Sequence, residues 1–188
     1  MKKILPLFVL LMAVAIVLPS CGDDEEDYAT IYKDWHDQND AWLAKMKERK
    51  NPDGSPYYQV IVPAWNPAGY ILIHYFNDRA QTEGNLSPLF TSVVDVIYRG
   101  YDCEDVPFDS SMTQNAYGYP GVERFRCNGT INGWIAALED MRVGDTAEII
   151  VPFEMAYGVT GYNTIKPYSN LRFNLRLHDI YRYEASPY

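Results

Sequence analysis

Three histidines and three cysteines are the side chains of this 188-residue chain best suited to hold a metal or to act as nucleophiles. His36, His74 and His178 lie far apart, and none shares a metal-ligand spacing with a cysteine or a second histidine, so no metal site is implied. There is no Gly-x-Ser-x-Gly elbow, no phosphate-cradling glycine loop and no dinucleotide fingerprint. That removes the motif grounds for a hydrolase, an NTPase or a dehydrogenase, and no cofactor is implied. What remains is a series of aromatic segments carrying a few polar groups: Tyr98-Arg99-Gly100, Phe108-Asp109-Ser110-Ser111, Ile131-Asn132-Gly133-Trp134 running to Met141-Arg142-Val143-Gly144, Ala156-Tyr157-Gly158, and Leu171-Arg172-Phe173. Each has a plain reading when taken singly. The second is a strand end with an Asp-Ser turn, Trp134 a core aromatic, and Ala156-Tyr157-Gly158 a helical turn closed by glycine.

Taken together, in this order and over about ninety residues, the segments resemble the FKBP-type peptidyl-prolyl cis-trans isomerases, whose motifs read Y-x-G, F-D-S-S, V-I-x-G-W, M-x-x-G, A-Y-G and L-x-F. The core of the resemblance covers residues 92–180. It implies that Trp134 is the floor on which a proline ring sits, with Tyr98, Phe108 and Phe173 as aromatic walls and Phe125 beside them. Ile131 matches the position whose backbone N–H holds a ligand carbonyl, Tyr157 supplies a phenolic hydroxyl, and Asp109 places a carboxylate at the pocket edge. Tyr162 and Ile165 fall in the bordering loop, residues 159–167. The chain departs from the family pattern at the rim: residues 101–107 lack the common Asp-Gly turn, Glu123 and Arg124 stand near a position often aromatic, and Lys166-Pro167 replaces a pair of prolines. Substrate preference and macrolide binding are where those departures would be felt.

Such a pocket suits the reaction. Rotating an X-Pro amide costs ~18–20 kcal/mol because the C–N bond loses its partial double-bond character. Twisting also reduces charge separation, so a dry aromatic slot disfavours the planar, polar amide relative to the twisted one. Each factor of ten in rate needs only ~1.4 kcal/mol of that preference, and no nucleophile takes part.

The elements that must position these residues are legible from periodicity. Residues 57–62, 70–76 and 93–99 read as strands, a short strand surrounds Phe125 and Cys127, and 145–151 is another. Leu171, Phe173, Leu175 and Leu177 alternate with polar residues in a last strand. Ile131, Trp134, Ile135, Leu138 and Met141 keep helical spacing, with Asn132 or Thr130 as cap and Gly144 beyond the end. Residues 77–88 read as a polar loop. Several antiparallel strands and one helix make an α+β domain, an antiparallel sheet wrapped over one short helix, assigned to residues 51–183. An amphipathic helical extension precedes it over 28–50: Tyr28, Ile31, Tyr32, Trp35, Trp42, Leu43 and Met46 form a stripe. That stripe either packs on the domain, the commoner fate, or pairs with a second copy through residues 28–46.

The first twenty residues have a separate grammar. Lys2 and Lys3 precede an apolar run over 4–18, too short to span a membrane, and Leu18-Pro19-Ser20-Cys21 follows. This is a signal peptide whose end resembles the lipobox of bacterial lipoproteins, which makes Cys21 the lipidated residue and the domain an exported one, anchored to the outer membrane. Residues 21–27 are an acidic tether, either a solvated spacer or a signal for the cell-surface face. The acidic chain, at −9 before removal of Lys2 and Lys3, makes nucleic acid an unfavourable partner. Cys103 and Cys127 are left either to pair or to stay as thiols. Three functions compete: an isomerase acting on proline-containing polypeptides and assisting folding of exported proteins, a non-catalytic proline-binding module, and a surface adhesin, which would leave the aromatic pocket without a purpose.

Overall fold

A computed structural model describes residues 27–113, 115–116 and 119–181; the assigned signal peptide and Cys21 lie outside them. In chain order the elements are helices α1 (Tyr28–Ile31) and α2 (Lys33–Glu48), strands β1 (Gln59–Ile61), β2 (Ile71–Tyr75), β3 (Val93–Tyr101), β4 (Pro107–Ser110), β5 (Asn115–Ala116), β6 (Tyr119–Pro120) and β7 (Glu123–Arg126), helix α3 (Asn132–Asp140), and strands β8 (Thr146–Val151) and β9 (Leu171–Ile180). The main sheet is antiparallel throughout, in the order β1-β2-β8-β9-β3-β4, with β7 pairing the start of β3 beyond β4. The small β5–β6 ribbon stands apart from it. This is the α+β arrangement anticipated, a sheet closed over α3.

Alternation decides which face each strand buries. Leu171, Phe173, Leu175 and Leu177 of β9 and Val94, Val96 and Tyr98 of β3 point to α3, where they meet Trp134, Ala137, Leu138 and Met141. Strands β2 and β8 are different, because both of their faces are covered. Ile71, Ile73, Ile149 and Val151 join the core under α3, whereas Leu72 and Ile150 face the other way onto Leu43 of α2 and Tyr58. Double coverage accounts for the unbroken apolar runs Ile71-Leu72-Ile73 and Ile149-Ile150-Val151, where strands with one wet face alternate. The stripe of α2 is therefore packed on the domain, with Trp42 and Met46 flanking Leu43.

Several local expectations need correction. Tyr32 breaks the anticipated single helix into α1 and α2, leaving the helical region at φ −102 and ψ 15. The loop 77–88 contains a 3-10 turn, Arg79–Thr82. Neither Thr130 nor Asn132 caps α3: Ile131 takes the cap position without a side-chain bond, and the Thr130 hydroxyl donates to the Cys127 carbonyl at 2.8 Å. Strand β7 ends at Arg126, and Cys127 opens a 3-10 turn instead of lying in the strand. Cys103 and Cys127 are both free thiols. Burial first, then nearby carboxylates, pushes each up to about 11, so neither is a thiolate at neutral pH.

Candidate functional site

Four strands and one helix each deliver one aromatic ring to the same cavity. Trp134, in the first turn of α3, is met edge-to-face by Tyr98 of β3 (ring centroids 4.9 Å apart), Phe173 of β9 (5.4 Å) and Phe125 of β7 (5.6 Å). Phe108 of β4 stands edge-on to Phe173 at 5.6 Å. Perpendicular contacts of this kind set the positive edge of one ring against the negative face of another, and each adds about 0.5–1.5 kcal/mol beyond burial. The result is a cavity of about 350 Å³ lined by these five rings with Asp109, Gly129, Thr130, Ile131, Tyr157 and Tyr162. Nine of the ten residues singled out from sequence line it. Ile165 does not; it lines an adjoining cleft with Trp35 and Phe108.

Two glycines make the arrangement possible. Gly133 faces Val151, whose Cγ1 would lie 2.3 Å from a Cβ added there, so only glycine lets α3 lie this close to β8 and carry Trp134 to its depth. Gly100 pairs with Asp109 on one side and Phe173 on the other, and a Cβ on it would fall 2.7 Å from Phe108 Cζ and 2.8 Å from Phe173 Cε1. The two walls rest on a backbone with no side chain. The Phe-Asp-Ser-Ser segment is likewise explained by Ser111, fully buried, whose hydroxyl accepts from Tyr98 N–H at 2.9 Å and locks the end of β4 onto β3.

The polar groups divide into engaged and unengaged. The Tyr98 hydroxyl has one proton and two carboxylates in reach, Asp109 Oδ2 at 2.9 Å and Glu123 Oε2 at 3.2 Å. Burial, together with those two acids, holds Tyr98 far above its ordinary phenol value, so it stays a donor. Glu123, noted from sequence only as a departure, is thereby part of the polar edge. Burial and the neighbouring Asp109 charge raise its carboxyl, against the Tyr98 hydrogen bond. Asp109 Oδ1 also accepts from Ser110 N–H at 2.7 Å. By contrast, the Ile131 N–H and the Tyr157 hydroxyl make no hydrogen bond among the described residues. Burial, then Asp109 and Tyr162, keep Tyr157 protonated, and its ring is stacked under Tyr162 at 5.1 Å. An apolar slot with two unspent donors at its mouth can take an imide-like amide and hold its flanking carbonyls.

Known proteins share this chain's sequence and shape. A profile of the FKBP-type peptidyl-prolyl cis-trans isomerases matches residues 87–178. The chain is 36% identical over 115 residues to the macrophage infectivity potentiator of Trypanosoma cruzi, covering 61% of this chain and 54% of that protein. Against the FKBP-type 22 kDa peptidyl-prolyl cis-trans isomerase of Escherichia coli it is 42% identical over 101 residues, or 53% and 46% of the two chains. It thus spans about half the length of the curated relatives it matches. Among solved structures, a peptidyl-prolyl cis-trans isomerase of Pseudomonas syringae superposes with a TM-score of 0.62 at 22% identity, over 80% of this chain and 96% of that one. The crystal structure of FkpA from Escherichia coli gives 0.62 at 23% identity, over 81% and 63%. These two likenesses speak for the fold, while the sequence matches place the family likeness in one stretch: residues 87–178 match the FKBP-type peptidyl-prolyl cis-trans isomerases.

Proposed function

We propose that this protein isomerises X-Pro bonds in polypeptides, and that Trp134, Ile131 N–H, Tyr157 and Asp109 are the groups that touch the reacting segment. The observation that carries the reading is the 350 Å³ aromatic cavity with the two unengaged donors at its mouth. The proline ring rests on Trp134 between Tyr98, Phe108, Phe125 and Phe173. Ile131 N–H and the Tyr157 hydroxyl receive the carbonyls on either side, and the twisted amide, less polar than the planar one, is the form that the dry walls favour. The half-exposed ring of Tyr162 contacts the chain beyond the proline.

The test is acceleration of cis-trans exchange in a proline-containing peptide by the full chain. Tyr157→Phe should lower kcat/KM about fivefold and Asp109→Ala about tenfold, the losses expected when one hydrogen bond or one partly charged contact is removed. A folded wild type no faster than buffer would overturn the reading and leave proline binding without catalysis as the better account.

We infer further that the protein is exported, held at the outer membrane of a bacterium by acyl chains on Cys21, and serves the folding of exported polypeptides. The Lys2-Lys3 start, the apolar run and Leu18-Pro19-Ser20-Cys21 support this, as does the slowness of uncatalysed X-Pro exchange, tens to hundreds of seconds. Cells grown on a labelled fatty acid should yield labelled protein in the membrane fraction. Cys21→Ser should lose both the label and the sedimentation; a labelled variant would exclude this anchor.

A further inference from the structure

Helix α2 has two halves with different partners. Its C-terminal half, through Leu43 and Met46, packs on the sheet at Tyr58, Leu72 and Ile150. Its N-terminal half touches the two segments that border the pocket. Gln38 Nε2 donates to Glu104 Oε1 at 3.0 Å, in the turn that leads into Phe108 and Asp109. Trp35 Nε1 donates to Ser169 Oγ at 3.0 Å, and Ser169 Oγ donates in turn to the Lys166 carbonyl at 2.8 Å, closing the turn behind Ile165. The Lys166 ammonium lies 3.9 Å from the centre of the Trp35 ring. Deeper in, Asn39 is fully buried: its Oδ1 accepts from Asn170 N–H, and its carbonyl accepts from Asn170 Nδ2, both at 2.8 Å.

These contacts fall on the rim segments where the chain departs from its family, residues 101–107 and 166–167. Between Lys166 and Asn170 the chain also takes a costly conformation: Tyr168 has φ +61, which a non-glycine residue keeps only when its surroundings hold it there. The His36 ring supplies part of that hold, stacked on Tyr168 at 4.3 Å. On the pocket side, Trp35, Phe108 and Ile165 line one cleft, and Ile165 exchanges both backbone hydrogen bonds with Tyr162, which stacks on Tyr157. A continuous set of contacts runs from α2 to the group that faces the substrate.

Resting on the isomerase reading, we propose that the N-terminal half of α2 sets the substrate affinity of the pocket, with Trp35, Gln38 and Asn39 as positioning residues that fix the rim loops. The altered rim and α2 are then one device: loops lacking the family's usual turn and proline pair are held from outside by the helix. Removing the hold lets Tyr162 and Phe108 sample other positions, so that a peptide must order the rim when it binds.

The experiment compares Trp35→Ala with Leu43→Ala in the full chain. Leu43→Ala weakens the sheet-side contact of the same helix and leaves the rim alone. Three quantities are measured: thermal stability, hydrogen exchange of amides 156–170, and affinity for a proline-containing peptide by titration, alongside kcat/KM for the same peptide. Trp35→Ala should speed rim exchange and weaken peptide affinity about tenfold, equivalent to ~1.4 kcal/mol. Leu43→Ala should lower the Tm and change neither. Trp35→Phe, which keeps an aromatic ring under Lys166, should restore most of the affinity. Should Trp35→Ala fail to fold, Gln38→Ala, at an exposed position, should weaken affinity about twofold. Wild-type affinity in Trp35→Ala, or in its stand-in Gln38→Ala, overturns the proposal, as does an equal loss in Leu43→Ala. A wild type that binds the peptide without isomerising it removes the catalytic reading, while the affinity comparison still decides the role of α2.

Discussion

Trp134→Ala should cost about 3–5 kcal/mol of stability and abolish measurable binding of a proline-containing peptide. The indole is 4% exposed and is touched edge-on by three rings, so its removal takes away both buried area and the shared partner of Tyr98, Phe125 and Phe173. Large aromatic deletions in cores lose about 3–5 kcal/mol, and here the void opens into the pocket and destroys the floor as well. Trp134→Phe separates the two effects. The indole N–H is buried without an acceptor among the described residues, and an unpaired donor of that kind carries a desolvation cost of about 1–3 kcal/mol. Phenylalanine discards that donor while keeping a flat face, so its loss of stability should stay near 1 kcal/mol with peptide binding weakened but present. Urea denaturation with a peptide titration reads both variants. An unchanged midpoint for Trp134→Ala would show that the indole is not part of the packed core.

The residues that make the pocket were legible because each combines a local pattern with a motif. The alternation of β9 fixes Phe173 on the inner face, the 3.6-residue spacing of α3 fixes Trp134 there, and Tyr98 follows from the same parity in β3. What the sequence hid is of another kind. Asn39 occupies a place in the apolar stripe of α2, four residues after Trp35 and four before Leu43, and a periodicity argument passes over it because it is polar. Its partner, Asn170, is 131 positions away in the chain, and no local rule links a buried amide to one so distant. The signal was the gap itself: a polar residue where the stripe requires burial must have a hydrogen-bonding partner. Glu123 was similarly visible as a departure, but its approach to Tyr98 depends on the pairing of β7 with β3, which spacing alone does not give. The cap of α3 was misread because Thr130 and Asn132 have the right chemistry, whereas the 3-10 turn at Cys127 takes the Thr130 hydroxyl first.

Asp145→Ala should destabilise the chain by roughly 3 kcal/mol or more, the range for breaking a buried charged network on one side. Asp145 is fully buried in the turn between α3 and β8. Its Oδ1 accepts from Thr82 Oγ1 at 2.6 Å and Asn77 Nδ2 at 3.0 Å, its Oδ2 from Arg142 N–H at 2.9 Å, and Arg79 Nε stands 3.3 Å away. One carboxylate thus joins the end of α3, the start of β8 and the 3-10 turn after β2, and so fixes the helix that carries the pocket floor. Alanine would leave Arg79 Nε, which has no hydrogen bond among the described residues, facing a void. The same group makes stability pH-dependent. Burial raises the Asp145 carboxyl, but the hydrogen bonds from Thr82, Arg142 and Asn77, with the Arg79 charge, outweigh it and hold the carboxyl below the usual range. A folded value below the unfolded one, which is about 3.9, means that the charge stabilises the native state in full above that range and ceases to do so as pH falls through the depressed folded value. Asp145→Asn keeps the shape and an acceptor for Thr82 while removing the charge. Its deficit relative to wild type should therefore be constant from about pH 7 to 5 and shrink as the pH is taken below about 4. Denaturation midpoints of the two chains across that range decide it: a deficit that stays the same at low pH would mean that the Asp145 carboxyl titrates alike in the folded and unfolded chains, and one that grows as pH falls would mean that folding holds it neutral.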